Sequence, residues 1–185
     1  MKAAAIQMVS GASLDANLRA AHALLREAAQ QGAELAVLPE YFCLMGHQDT
    51  DKLALREPPG SGTVQAFLAS TARELGLWLV GGTLPMVASD ADHVRNTNLV
   101  FSPAGDCVAR YDKIHLFRFD NGRERYDESR VIEAGRTPVA FELPSRDGHR
   151  WRVGLSVCYD LRFPELYRAL AADVLLVPSA FTFVT

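Results

Sequence analysis

Glu40, Lys113 and Cys158 carry side chains suited to acyl transfer, and each stands where a strand gives way to a turn. A thiol can attack an electrophilic carbon, and a carboxylate can take the thiol proton and return it to a leaving group. An ammonium can hold the oxyanion formed in between. Taken singly, each residue has a plainer explanation. A lone cysteine is usually a small buried hydrophobe, and a glutamate or lysine at a strand tip is usually solvated. Their positions weaken those explanations together. Trp151, Val153, Leu155 and Val157 alternate along a strand that Cys158 ends, and Tyr159-Asp160-Leu161-Arg162-Phe163-Pro164 leads into a helix. Pro164 suits the first helical turn, where its missing N–H would have no partner in any case. A thiol at such a turn lies near free backbone N–H groups and a helix N-terminus, which are expected to lower its pKa and to receive an oxyanion. Glu40 follows Val37-Leu38-Pro39, and Lys113 follows a strand ending at Tyr111-Asp112. In open α/β sheets, sites gather at the carboxyl ends of strands.

Two further residues bear on this chemistry. His115 stands two residues from Lys113, and on a strand that spacing puts both on one face. A Cys–His pair is therefore the rival catalytic arrangement. The sequence around Cys158 lacks the local signature of papain-like proteases, so His115 reads as structural. Arg162, beside the thiol, offers a guanidinium fork matched to a substrate carboxylate. Its alternative is a structural ion pair with Asp160 or Glu165.

The elements that must position these residues follow from apolar spacing. Residues 3–9 form a short apolar run, expected to be a covered strand. Ser13 reads as an N-cap for a helix through Leu14, Leu18, Ala21, Leu25 and Ala28, with Gly32 at its C-terminal end. Leu35 to Leu38 is the next strand, and strand–helix–strand with short joints implies parallel pairing. Val64 to Leu75 reads as a helix closed by Gly76, and residues 77–82 as a third strand. Residues 95–101 and 106–111 flank a hairpin turn at Ser102-Pro103-Ala104-Gly105. The charged stretch 112–136 reads mostly as loop. Val139 to Leu143 and Arg150 to Val157 read as strands joined at Asp147-Gly148. A short helix from Pro164 to Ala172 and a strand from Val174 to Val177 follow. The whole is expected to be one α/β domain over residues 1–185.

Composition excludes several classes. The chain has 185 residues, 49% hydrophobic and 22% charged, with a formal net charge of −3. It carries no basic stripe, which argues against a nucleic-acid partner, and no apolar run long enough to span a membrane. Gln7, Ser10 and Asp15 interrupt the start too early for a signal peptide. Cys43, Cys107 and Cys158 are odd in number and far apart, against a disulfide framework or a zinc site of close Cys pairs. A reducing, cytoplasmic setting fits them. Gly60-Ser61-Gly62 and Gly81-Gly82 lack any nucleotide fingerprint, and no metal motif is present. The chain ends at Ser179–Thr185 just after a core-like strand, so the domain is expected to continue beyond this point.

Three blocks carry a resemblance. Leu38-Pro39-Glu40, Tyr111-Asp112-Lys113-Ile114-His115-Leu116 and Val157-Cys158-Tyr159-Asp160-Leu161-Arg162-Phe163-Pro164-Glu165 resemble, in order, the catalytic blocks of the nitrilase, or carbon–nitrogen hydrolase, superfamily. Asp160 to Leu166 and Pro178-Ser179-Ala180-Phe181 are most similar to the Nit-type amidases, which include enzymes acting on deaminated glutathione and the ω-amidases. The resemblance implies an α-β-β-α sandwich, here only its N-terminal two-thirds, and a homodimer or larger homo-oligomer. It implies cofactor-free hydrolysis of a small carboxamide to an acid and ammonia, with Glu40 as general base and acid and Cys158 as nucleophile. Lys113 and the Tyr159 N–H would hold the oxyanion. The family's second glutamate corresponds to Glu128, in Asp127 to Gly135, which would orient Lys113. The same triad in a carbamoyl-amine hydrolase, and a non-catalytic fragment, are the alternative readings.

Overall fold

Short apolar runs alternating with amphipathic helices build two sheets that face each other, with helices on the outside. The computed structural model describes residues 1–181. Its elements are β1 (Ala3–Ala5), α1 (Leu14–Gln30), β2 (Leu35–Val37), α2 (Asp51–Leu55), α3 (Thr63–Leu75), β3 (Trp78–Val80), β4 (Leu84–Val87) and β5 (Val94–Phe101). They continue with β6 (Cys107–Asp112), β7 (Arg118–Asp120), β8 (Arg125–Asp127), β9 (Val139–Pro144), β10 (Arg150–Leu155), α4 (Pro164–Leu170) and β11 (Val174–Leu176).

In the first sheet β1, β2 and β3 are parallel, and β5 joins β3 antiparallel while also pairing with β4 and β6. The second sheet sets β10 between antiparallel β9 and parallel β11. Two-residue periodicity divides each strand between two cores. Ala36, Leu79 and Leu99 face α1 and α3, whose Leu18, Leu25, Val64 and Leu68 cover them. Leu35, Val80, Val100 and Tyr111 face the other way, onto Phe141, Leu143, Val153 and Leu155 of the second sheet. Each fully buried Leu or Val contributes roughly 1.5–3 kcal/mol. On the far side of β10, Gly154 lies against Leu170 of α4; a Cβ there would stand 3.0 Å from that side chain. The layers therefore run α-β-β-α, as the resemblance implies.

The capping signals act as their chemistry requires. Ser13 Oγ accepts from the Ala16 N–H at 3.4 Å, and Gly76 takes the left-handed conformation that closes α3. Other expectations need correction. β1 stops at Ala5, and Val9 is almost fully exposed. The stretch 112–136 is mostly loop, as expected, but it also holds β7 and β8, which pair as a hairpin around Asn121-Gly122, and a 3-10 turn at Glu128–Arg130. The apolar positions of the hairpin are aromatic and pack on one another, Phe117 on Phe119 and Tyr126, so no regular core-facing stripe announces them. The helix α2 and the strand β4 also arise outside the predicted elements. β4 contains Pro85 and lies at the end of the sheet order, where a missing N–H is tolerated.

Two glycines set the backbone under the strand ends that carry Glu40 and Lys113. Gly82 has φ +53°, and a Cβ there would stand 2.0 Å from the Pro39 carbonyl oxygen. At Gly135 a Cβ would stand 2.1 Å from the Asp112 carbonyl oxygen, while the Gly135 N–H donates to the Lys113 carbonyl at 2.8 Å. No flexible side chain can yield in either place, since the obstacle is backbone. Gly82→Ala and Gly135→Ala should each destabilise by about 2 kcal/mol or more, read from the denaturant midpoint. Gly11→Ala, where nothing lies within 4 Å, should stay within about 0.5 kcal/mol of the parent.

Candidate active site

The loop after β2, the segment after β6 and the turn after β10 converge at one end of the two sheets. Each supplies one of the residues first singled out. Lys113 is 1% exposed, and its Nζ lies 3.1 Å from Glu40 Oε1 and 2.8 Å from Glu128 Oε2. Glu40, Lys113, Glu128 and Cys158 all line a cavity of about 100 Å³, together with Tyr159 and Arg162. A wider cavity of about 420 Å³ adjoins it, and the two share Tyr41, Phe117, Glu128 and Ala180. Every site residue read from the sequence is thus brought to one place.

Both carboxylates are held by several donors. Glu40 Oε1 also accepts from Asn96 Nδ2 at 2.9 Å, and Oε2 accepts from the Ala180 N–H at 2.9 Å. Glu128 accepts from Tyr41 Oη at 3.0 Å and from the Phe117 N–H at 2.7 Å. The two ends of the β7–β8 hairpin therefore close on each other at the cavity wall. Asn96 Nδ2 also reaches the Tyr41 hydroxyl, at 3.1 Å, linking the two carboxylate clusters.

Backbone strain accompanies the site. Tyr41 and Cys158 have φ of +55° and +47°, left-handed values that non-glycine residues rarely adopt. The Tyr41 N–H is held by Thr83 Oγ1 at 2.9 Å, and the Cys158 N–H by the Pro178 carbonyl at 3.0 Å. Cys158 opens a 3-10 helix that runs to Arg162. Tyr159 stands in its first turn, where a backbone N–H has no intrahelical partner.

Electrostatics correct one expectation. The turn does not lower the thiol pKa: burial and then the Glu40 carboxylate push Cys158 up to about 12. Burial raises Glu40 above the ordinary carboxylate range, although Lys113 opposes it. Burial works against the Lys113 ammonium, but Glu40 and Glu128 outweigh it and hold its pKa above the usual value. The resting state is a protonated thiol facing a buried carboxylate with raised proton affinity.

A family model described as carbon–nitrogen hydrolase matches residues 2–176. The chain belongs to the carbon–nitrogen hydrolase family. It is 39% identical over 186 residues to a deaminated glutathione amidase of Synechocystis sp., covering 97% of this chain and 66% of that protein. It is 37% identical to omega-amidase NIT2 of Danio rerio, covering 91% of this chain and 59% of that one. The chain thus spans about two-thirds or less of the length of these curated relatives. A mutant of the amidase from Nesterenkonia sp. AN1, with acrylamide joined by Michael addition at its active site cysteine, superposes with a TM-score of 0.79. That structure is 25% identical, and the match covers 100% of this chain and 68% of the other.

Within this carbon–nitrogen hydrolase, His115 turns away from the cavity. Its Nδ1 lies 2.7 Å from Asp160 Oδ1, and its ring stacks on Phe163 at 3.6 Å. Arg162 makes no ion pair among the described residues: Asp160 is taken by other donors, and Glu165 lies beside Arg168. Sequence reasoning missed Tyr41, Asn96 and Ala180. Asn96 had a partial signal: Asn96-Thr97-Asn98 is a polar run in a strand that ends Leu99-Val100-Phe101, and all three are buried. Among the described residues no cluster of three or more His, Cys, Asp or Glu is placed to hold a metal ion. No helix among them is long and apolar enough to cross a membrane.

The electrostatics give a test on the free protein. The thiolate absorbance lost in Cys158→Ala should appear only well above the ordinary thiol pKa of about 8.5. Because the Glu40 carboxylate raises the thiol, Glu40→Gln should move that titration to lower pH. A Cys158 that titrates as an ordinary thiol would refute the buried, carboxylate-opposed description.

Proposed function

We propose that this chain carries the machinery of an amidase that hydrolyses a small, carboxylate-bearing carboxamide through a Cys158 thioester. The observation that most directly supports this reading is the buried Lys113 ammonium, bonded to the Glu40 and Glu128 carboxylates in the cavity that Cys158 also lines. The amidase names of the relatives support the reaction class, and the acrylamide adduct on the active site cysteine of the Nesterenkonia amidase supports a thiol as the reactive group in that class.

In this mechanism Glu40 takes the Cys158 proton as sulfur attacks the amide carbon. The transfer leaves the net charge of the cluster unchanged, moving one negative charge from carboxylate to sulfur and then to the substrate oxygen. Lys113 Nζ and the Tyr159 N–H receive that oxyanion. Glu40 returns the proton to the nitrogen, the C–N bond breaks, and ammonia departs from the thioester. Glu40 then takes a proton from water as its oxygen attacks the thioester carbon. The acid leaves, and the proton goes back to sulfur. Glu128, tied to Lys113, Tyr41 and the Phe117 N–H, orients the ammonium throughout. Arg162 pairs with the substrate carboxylate at the cavity mouth.

Cys158→Ala should abolish ammonia release, and Glu40→Gln should lower kcat by roughly 10²–10⁴. Acid-quenched turnover should show an acyl adduct on the Cys158 peptide; activity in Cys158→Ala would overturn the reading. The rate should fall as pH drops through the raised Glu40 pKa, since protonated Glu40 cannot accept the thiol proton. No Cys158 transition should appear on the alkaline side near the free-thiol value, because that group titrates at about 12.

Substrate charge is read separately. Arg162→Ala should raise KM for carboxylate-bearing amides far more than for neutral ones across a panel. An equal loss for both would remove Arg162 from substrate recognition. N-carbamoyl compounds in the same panel would yield carbon dioxide as well as ammonia if they were the true substrates.

A further inference from the structure

The mechanism leaves the most deeply buried carboxylate, Asp160, unused. Asp160 is fully buried, two residues beyond Cys158, and accepts four hydrogen bonds. Its Oδ2 takes the Val157 N–H at 2.8 Å and the Tyr111 hydroxyl at 2.7 Å. Its Oδ1 takes the His115 N–H at 3.0 Å and lies 2.7 Å from His115 Nδ1, which therefore carries the proton. Tyr111 and His115 stand two residues before and two residues after Lys113. Val157 is the residue before Cys158. The Tyr111 hydroxyl also accepts from the Ile114 N–H at 3.3 Å, which tightens the same segment. Beyond the turn, the His115 ring lies parallel to Phe163, with centroids 3.6 Å apart.

We propose that Asp160 is a positioning residue that locks the Lys113 segment to the Cys158 turn, with His115 as its principal partner. The proposal rests on the amidase reading above. Lys113 follows the first sheet and Cys158 the second, so no strand pairing fixes one against the other. Asp160 bridges them directly, gripping Lys113 from both sides in sequence and the turn from within. A carboxylate is required because all four neighbours donate. An amide here would face an N–H toward either Val157 or the His115 backbone, and neither of those can become an acceptor. The same contacts help hold Cys158 in its left-handed conformation, which costs roughly 1–3 kcal/mol when unsupported.

The test uses Asp160→Asn in the otherwise unchanged protein, with the best amide of the panel. Displacement of the reacting groups should cost about 10²-fold in kcat while KM moves little. The readout that separates positioning from folding is cysteine-resolved alkylation followed by peptide mass analysis. Cys43 is buried and Cys107 is exposed, so an intact fold keeps Cys43 protected and Cys107 reactive. Against that background the Cys158 rate should change several-fold. His115→Phe keeps the stack on Phe163 but removes the donor, and should cost roughly tenfold in kcat, as befits one charge-assisted hydrogen bond. His115→Asn, which returns an N–H donor, should recover part of that loss. If Asp160→Asn keeps Cys43 protected and retains kcat within about twofold, the proposal is wrong. If that variant unfolds and exposes Cys43, an unchanged kcat in His115→Phe overturns it instead. Failure of the amidase reading would appear elsewhere, as activity surviving in Cys158→Ala.

Discussion

Burying Lys113 between two carboxylates is the constraint that the rest of the site answers. An ammonium removed from water costs several kcal/mol unless opposite charge replaces the lost solvation. Here two carboxylates replace it, so the interior carries an excess negative charge. That excess needs donors, and they come from different parts of the chain: Asn96 from β5, Ala180 from beyond β11, Tyr41 from the loop after β2 and Phe117 from the start of the hairpin. It also accounts for the sense of the Glu40 shift. With one ammonium serving two carboxylates, burial prevails over Lys113 and Glu40 gains proton affinity. A carboxylate of that kind suits the base that the proposed mechanism requires.

Two of the three non-glycine residues with left-handed backbone among the described residues lie in the same place; the third, Ala171, caps α4. Tyr41 follows Glu40 and Cys158 ends its strand run, and both take left-handed backbone conformations. Each change of direction lets a short loop turn sharply at the sheet end while its side chain stays at the cavity. The fold opposes the strain with hydrogen bonds that the Tyr41 and Cys158 N–H groups donate to Thr83 and Pro178, and with close backbone packing of Gly82 beneath Pro39. Replacing that glycine therefore acts on the Glu40 loop before it acts on anything else.

The legible parts of this protein were those governed by local physics. The short apolar run Leu35-Ala36-Val37 and the helical spacing from Leu14 to Ala28 each follow from one side chain's relation to its near neighbours, and the structure has both elements. Glu40, Lys113 and Cys158 could be picked out because three ordered blocks surround them, and Glu128 through the separate match of Asp127 to Gly135. The hairpin at 118–127 could not, since its aromatic residues pack within a local cluster and its charges hide the alternation. Ala180 and the role of Asn96 were hidden for another reason: their partners lie 140 and 56 residues away, and a polar run inside a strand does not say which long-range acceptor it meets. The thiol pKa was misjudged because the sequence displays the turn but not the burial or the facing carboxylate. Residues 182–185, the end of the apolar run that closes the chain, lie outside the described residues.

The candidate site belongs to the gap between the sheets more than to either sheet. Glu40 and Lys113 leave the first sheet at β2 and β6, while Cys158 leaves the second at β10. The spacing of thiol and ammonium is then set by the side chains packed between those sheets: Leu35, Val80 and Val100 against Phe141, Val153 and Leu155. Tyr111 belongs to both systems, its ring in that core and its hydroxyl on Asp160. A change of volume in this layer thus has a route to the reacting atoms that a similar change between α1, α3 and the first sheet lacks. Interiors are close-packed and resist compression, so such displacements are transmitted rather than absorbed. The outer core is rich in Leu and Ala and the inner one in Val and aromatic residues, and it is the inner one that sets the distance between the Cys158 thiol and the Lys113 ammonium.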